Sequence, residues 1–119
     1  MRVEASWGSV VIDGQRYEGD VVVHVDGRVT ARQIGLSRPY RDSGELFHVP
    51  LSEEELGFIS EERPEVIIVG AGFRGMLSLT PRAKEMLTPY ETVMKLTPEA
   101  TEVINKERRR FVAFIHVRC

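Results

Sequence analysis

The run Glu65-Val66-Ile67-Ile68-Val69, closed by Gly70, constrains this chain most. Four successive β-branched residues offer no polar face to water. They form a strand only where both faces of a sheet are covered. Such a strand needs a neighbour on each side and a layer above and below it. The 119 residues supply this within one domain, taken as 1–119.

The remaining pattern fills in that sheet. Ser9-Val10-Val11-Ile12 leads into the turn dipeptide Asp13-Gly14. Val21 to Val25 and Arg28 to Arg32 flank Asp26-Gly27, which predicts a hairpin closed by a type I′ turn. Alternation places Val21, Val23 and Val25 on one face and Val22 and His24 on the other. Residues 33–48 lose periodicity and read as a long loop holding Pro39, Tyr40, Arg41, Asp42, Ser43 and Gly44. Ser52-Glu53-Glu54-Glu55 reads as a capping box, with Glu55 reaching back to the helix start and Leu56 and Ile59 facing inward. Thr80-Pro81 and Thr97-Pro98 each read as an N-cap with proline at the first helical position. Ala83, Met86 and Leu87 share one helix face, and Ala100, Val103 and Ile104 another. Strands at 92–96 and 111–117 complete the order. The expected fold is α/β of α+β character: a mixed sheet with an antiparallel hairpin region and two to three helices packed on it.

Composition excludes several classes. Sixteen basic and eighteen acidic residues leave a net charge of -2, so no global field selects nucleic acid or an anionic membrane. No apolar run reaches the ~20 residues of a spanning helix, and the charged start is not a signal peptide. One cysteine excludes an intrachain disulfide. A cytoplasmic protein is expected. Thirteen of the sixteen basic residues are arginine, and asparagine and glutamine total three, a composition that fits a thermophilic source.

Chemistry has few candidate places. Gly70-Ala71-Gly72-Phe73-Arg74-Gly75 matches G-x-G-x-x-G behind a buried strand. The next helix signal comes five residues later, and Lys95 and Leu96 stand where a ribose-binding acid belongs, so a dinucleotide is not expected. Two readings stay open: a glycine turn that permits close backbone approach, and a backbone nest for a small anion helped by Arg74. His116 and Cys119 lie close in sequence, but on an extended strand they point to opposite faces. Trp7 reads first as core and second as a binding anchor. The ligand candidates are therefore Gly70, Gly72, Arg74, Gly75, Trp7 and His116. Arg108-Arg109-Arg110 reads as cations completing a helix C-terminus, or as a partner-binding patch. His24, His48 and His116 come from separate elements, and their spacing predicts no metal site. No catalytic residue, cofactor or metal is expected.

The ordered set Trp7-Gly8, Ile12-Asp13-Gly14, Asp20, Asp26-Gly27, Glu53-Glu54-Glu55-Leu56, Pro64 to Gly72, Thr97-Pro98-Glu99-Ala100, Asn105 and Phe114 to Cys119 resembles one family along nearly the whole chain. It is similar to the Mth-type domain family, which includes the adipogenesis-associated Mth-type domain protein and a mitochondrial respiratory complex I assembly factor. The family usually has Gly-Thr-Gly where Gly70-Ala71-Gly72 stands, and often Thr where Arg118 stands. The resemblance implies a mixed-sheet α/β fold, no known enzymatic activity and no cofactor, and a role through other proteins. The first expectation is thus a non-catalytic interaction or assembly module, using the 33–48 loop and the arginine-rich end, with another protein as partner. Self-association stays open. The alternative is a small-molecule or anion binder, or an enzyme, built on Gly70–Gly75 and Arg74.

Overall fold

A computed structural model describes residues 1–41 and 48–119. Three strands, β1 (Val3–Ser6), β2 (Ser9–Ile12) and β3 (Gln15–Glu18), form a small antiparallel sheet. Five more form the main sheet: β4 (Val21–Val23), β5 (Val29–Ala31), β6 (Val66–Ala71), β7 (Glu91–Lys95) and β8 (Phe111–His116), in the order β5-β4-β8-β6-β7. β6 runs parallel to β7 and β8, while β4 is antiparallel to β5 and β8. The main sheet is mixed, as the sequence predicts. The run at 66–71 is buried at every position between its two parallel neighbours.

Helices α1 (Ile59–Glu62), α2 (Pro81–Leu87) and α3 (Thr97–Lys106) cover the sheet. Its alternation sorts the core into two clusters. Val21, Val23, Val66, Ile68, Ala113 and Ile115 face Ala100 and Ile104 of α3 and Val3, Val10 and Ile12 of the small sheet. Val22, Ile67, Val69, Val112 and Phe114 face Leu51, Leu56 and Ile59 together with Ala83 and Leu87 of α2. Asn105 ties the small sheet to α3: its Nδ2 donates to the Val3 carbonyl at 3.1 Å, and its Oδ1 accepts from the Val3 N–H at 2.6 Å. No helix among the described residues is long and apolar enough to cross a membrane.

Several local expectations change. The type I′ geometry sits at Asp13-Gly14, where φ is +49° and +87°. At Asp26-Gly27 only Gly27 has positive φ, and the His24 N–H donates to the Arg28 carbonyl, which closes a longer loop. The strand therefore ends at Val23, and Val25 packs into the cluster opposite Val21 and Val23. The 33–48 segment holds short 3-10 turns at Ile34–Leu36 and Arg38–Tyr40, while 42–47, with Asp42, Ser43 and Gly44, lie outside the described residues. Ser52 does cap, accepting from the Glu54 N–H at 3.3 Å, but the element is a 3-10 turn and Glu55 turns into the interior. Ser37 Oγ takes the place foreseen for Glu55, accepting from the Ser52 N–H at 3.1 Å. Thr80 caps α2 through the Ala83 N–H. Met86 lies outside that helix's buried face. Thr97 caps nothing: its hydroxyl accepts from the Gly72 N–H at 2.8 Å and donates to the His116 carbonyl at 2.6 Å. Arg108–Arg110 follow the end of α3, so Lys106 is the cation in its last turn.

Candidate functional site

The site is built where β4 and β8 lie side by side. Val21 pairs with Ile115 in that antiparallel register, which sets Asp20, the residue before β4, beside His116 at the end of β8. Asp20 Oδ2 lies 2.8 Å from His116 Nδ1, and Asp20 Oδ1 accepts from the Val117 N–H at 2.9 Å. Burial pushes the Asp20 carboxyl up, but the hydrogen bond and field of His116, the Val117 N–H and Arg32 together hold it below the ordinary range. It is an ionised acceptor, so His116 Nδ1 carries a proton. In the neutral ring Nε2 then presents a lone pair, and it has no partner among the described residues. Nε2 is not sealed from solvent, because no buried polar side-chain atom among the described residues lacks a partner.

Behind the dyad lies a buried ion network. The Arg32 guanidinium is forked onto Glu55, with Nε–Oε1 and Nη2–Oε2 both at 3.0 Å, and its Nη1 reaches Asp20 Oδ2 at 3.1 Å. The Arg32 and Glu55 side chains are 3% and 2% exposed, too deep for surface charges. Ser37 donates to Glu55, and Nη2 of Arg32 also donates to the Pro50 carbonyl at 3.0 Å. Satisfied on every side, the network fixes Asp20, and Asp20 fixes the His116 ring.

A cavity of about 490 Å³ opens over the dyad, lined by Trp7, Ile34, His116, Arg118 and Cys119 with Arg32 at its inner wall. Its size falls within the range of small-molecule sites. Trp7 is 54% exposed and lies against Phe73, ring centroids 5.9 Å apart, so it is no core residue. It sits in the turn between β1 and β2, whose Gly8 N–H donates to the Val117 carbonyl at 2.7 Å and docks that turn on the end of β8. The Arg118 guanidinium lies near Gly8, with no hydrogen-bond or ion-pair partner among the described residues. Cys119 lines the cavity together with His116; β8 ends at His116, so strand alternation does not extend to Cys119 and the opposite-face expectation fails.

The glycine loop lies beside this cavity and holds the chain itself. Phe73 N–H donates to the Arg118 carbonyl at 2.8 Å, and the Arg74 and Met76 N–H groups both donate to the Cys119 oxygen, at 2.9 and 3.0 Å. Gly72 has φ +97°, and a Cβ there would lie 2.3 Å from the Cys119 carbonyl carbon and 2.7 Å from His116 Cδ2. Gly70 lies against Thr97, and Gly75, at φ +71°, against Leu96. The glycines thus bring two backbone segments together, and their nest points at residues 118–119. Of the sequence candidates, Trp7 and His116 line the cavity; Gly70, Gly72, Arg74 and Gly75 do not.

Sequence reasoning overlooked Asp20, Arg32, Ser37 and Glu55. Asp20 and Arg32 carry one signal, a charge beside a strand: Asp20 directly before three valines, and Arg32 directly after Val29-Thr30-Ala31. The arginine-rich end is partly occupied. Arg109 makes paired hydrogen bonds to Glu91, both at 3.0 Å, and binds Glu107, while Arg110 donates to the Arg63 carbonyl at 3.2 Å. His24 is spent on Glu62 and Thr30, and no three metal-ligating groups converge among the described residues.

No protein-family profile matches the chain, and no curated protein does. Solved structures do. The conserved hypothetical protein PH1505 from Pyrococcus horikoshii OT3 is 34% identical over 100% of both chains, with a TM-score of 0.87. The protein MT938 is 38% identical over 99% of this chain and 98% of its own, with a TM-score of 0.80. A Bordetella pertussis protein described as an Mth938-like domain shares the fold at 20% identity over 98% of this chain and 85% of its own, with a TM-score of 0.59.

Proposed function

The chain belongs to the Mth-type, or Mth938-like, domain family, and for this member we propose that the cavity over His116 binds a small organic acid carrying a hydroxyl or N–H group. The observation that carries the reading is the His116 ring, held by Asp20 through Nδ1, with Nε2 beside the cavity and without a partner among the described residues. A neutral ring in that tautomer accepts a hydrogen bond from a ligand hydroxyl or amine. Arg118 supplies a cation for the carboxylate, and its planar fork suits that group. Trp7 and Ile34 offer apolar contact to the body of the ligand. The binder reading thereby keeps His116 and Trp7 and replaces the glycine loop and Arg74 with Arg118 and Asp20.

The reading that the domain works by contact with another protein places function elsewhere, on the 33–48 loop and the arginine-rich end. Cavity variants separate the two. Thermal unfolding is measured with a panel of aromatic and branched 2-hydroxy and 2-amino acids at millimolar concentration. The proposal expects a saturable rise in melting temperature for some of them. It expects Arg118→Ala and Trp7→Ala to fold normally and lose that rise. A panel that raises no melting temperature, or a rise that both variants keep, overturns it.

A further inference from the structure

The open edge of the main sheet at β7 carries a second, independent feature. β7 is hydrogen-bonded to β6 on one side only. No other backbone hydrogen bond involves residues 91–95 among the described residues. Five residues without proline or bulge therefore present a free row of N–H and C=O groups. Exposed edges of this kind are templates for pairing with another strand. The opposite edge, β5, is only three residues long.

The sequence of β7 specifies its partner. Glu91-Thr92-Val93-Met94-Lys95 has opposite charges at its two ends, and both are exposed. In a parallel pairing of two copies, Glu91 would face Glu91 and Lys95 would face Lys95. In an antiparallel pairing centred on Val93, Glu91 faces Lys95 of the other copy at both ends, and Thr92 faces Met94. A shift of the centre by one residue loses both charge pairs. Opposite charges directly across a strand pair stabilise it, and like charges destabilise it. Two apolar residues near this edge, Met94 and Leu96, are 38% and 40% exposed. A lone lysine on an edge strand discourages pairing; here Glu91 stands where it would answer the lysine of a second copy.

We propose that two copies of this chain pair through β7, antiparallel about a two-fold axis at Val93, so that the two main sheets become one continuous sheet. The contact is isologous, so it closes at a dimer. Glu91 Oε1 and Oε2 each accept one hydrogen bond from Arg109, and their remaining lone pairs are available to Lys95 of the other copy.

Sedimentation equilibrium of the full chain over a broad micromolar range tests this. The wild type sediments at twice the monomer mass at the upper end. Lys95→Glu, an exposed substitution that leaves the far-ultraviolet circular dichroism unchanged, raises the dimer dissociation constant about tenfold or more, because it places like charges across both ends. Lys95→Arg, which keeps the opposite charge at both ends and leaves the Glu91–Arg109 pair intact, holds the constant within about threefold of wild type. A wild type that is monomeric throughout, a dimer indifferent to Lys95→Glu, or a Lys95→Arg variant as weak as Lys95→Glu overturns the proposal.

Discussion

Replacing Gly72 by alanine sets a methyl carbon 2.3 Å from the Cys119 carbonyl carbon, 2.5 Å from its oxygen and 2.7 Å from His116 Cδ2. Two of those three neighbours are backbone, so no rotamer change relieves the clash. The backbone at φ +97° adds the left-handed strain of an L-residue, about 1–2 kcal/mol. Moving residues 118–119 away lengthens three hydrogen bonds, from Phe73, Arg74 and Met76 N–H groups. At about 0.5–1.5 kcal/mol each they bring the expected loss of stability to about 3–6 kcal/mol. Gly75→Ala is the control. Its φ of +71° imposes the same strain, but its Cβ meets only the Leu96 Cδ2 methyl at 3.1 Å, and that side chain can turn. Its expected cost is about 1–2 kcal/mol. Urea unfolding of both variants at neutral pH reads the difference. Equal costs would refute the argument that Gly72 is there for close approach of the chain end.

Three further outcomes follow from the buried polar groups. Arg32→Met leaves Glu55 and Asp20 without their shared cation and destabilises by about 3–5 kcal/mol in urea unfolding. The Asp20 carboxyl is held below its ordinary range in the folded state, so its contribution is complete above the unfolded pKa and disappears as pH falls through the folded one. The stability advantage of wild type over Asp20→Asn should therefore be constant near neutrality and shrink below about pH 4 in an unfolding series. Thr97→Val orphans the Gly72 N–H and removes a hydrogen bond to the His116 carbonyl. It costs about 2–4 kcal/mol, whereas Thr97→Ser costs less than about 1 kcal/mol, and thermal unfolding separates them.

The main sheet was legible because its strands are written in β-branched runs. Val21-Val22-Val23 and Val66 to Val69 can be nothing else in a chain this short. β1 and β3 were not legible. Gln15-Arg16-Tyr17-Glu18 has no apolar alternation, and it is a strand because its backbone pairs with β2 in a hairpin set by Asp13-Gly14. Glu55 shows how local grammar misleads. Its spacing from Ser52 fits a capping box, but Arg32 lies 23 residues earlier and binds it more strongly than a helix start does. The site itself is a long-range product. Asp20 and His116 are 96 residues apart and meet only through the β4–β8 register. Trp7 and His116 could be named from residue type, while Asp20 and Arg118 acquire meaning only once that register is known.

The central claim is that the cavity over the Asp20–His116 dyad holds a small organic acid. A nuclear magnetic resonance titration with 3-phenyllactate and its branched-chain analogues, following the Trp7 indole N–H and the His116 ring protons, tests it most directly. The account predicts saturable shifts of both signals by at least one of these acids, on one binding curve, with Arg118→Ala weakening binding about tenfold or more. Signals that stay unmoved across the series, or shifts that Arg118→Ala leaves unchanged, would contradict it.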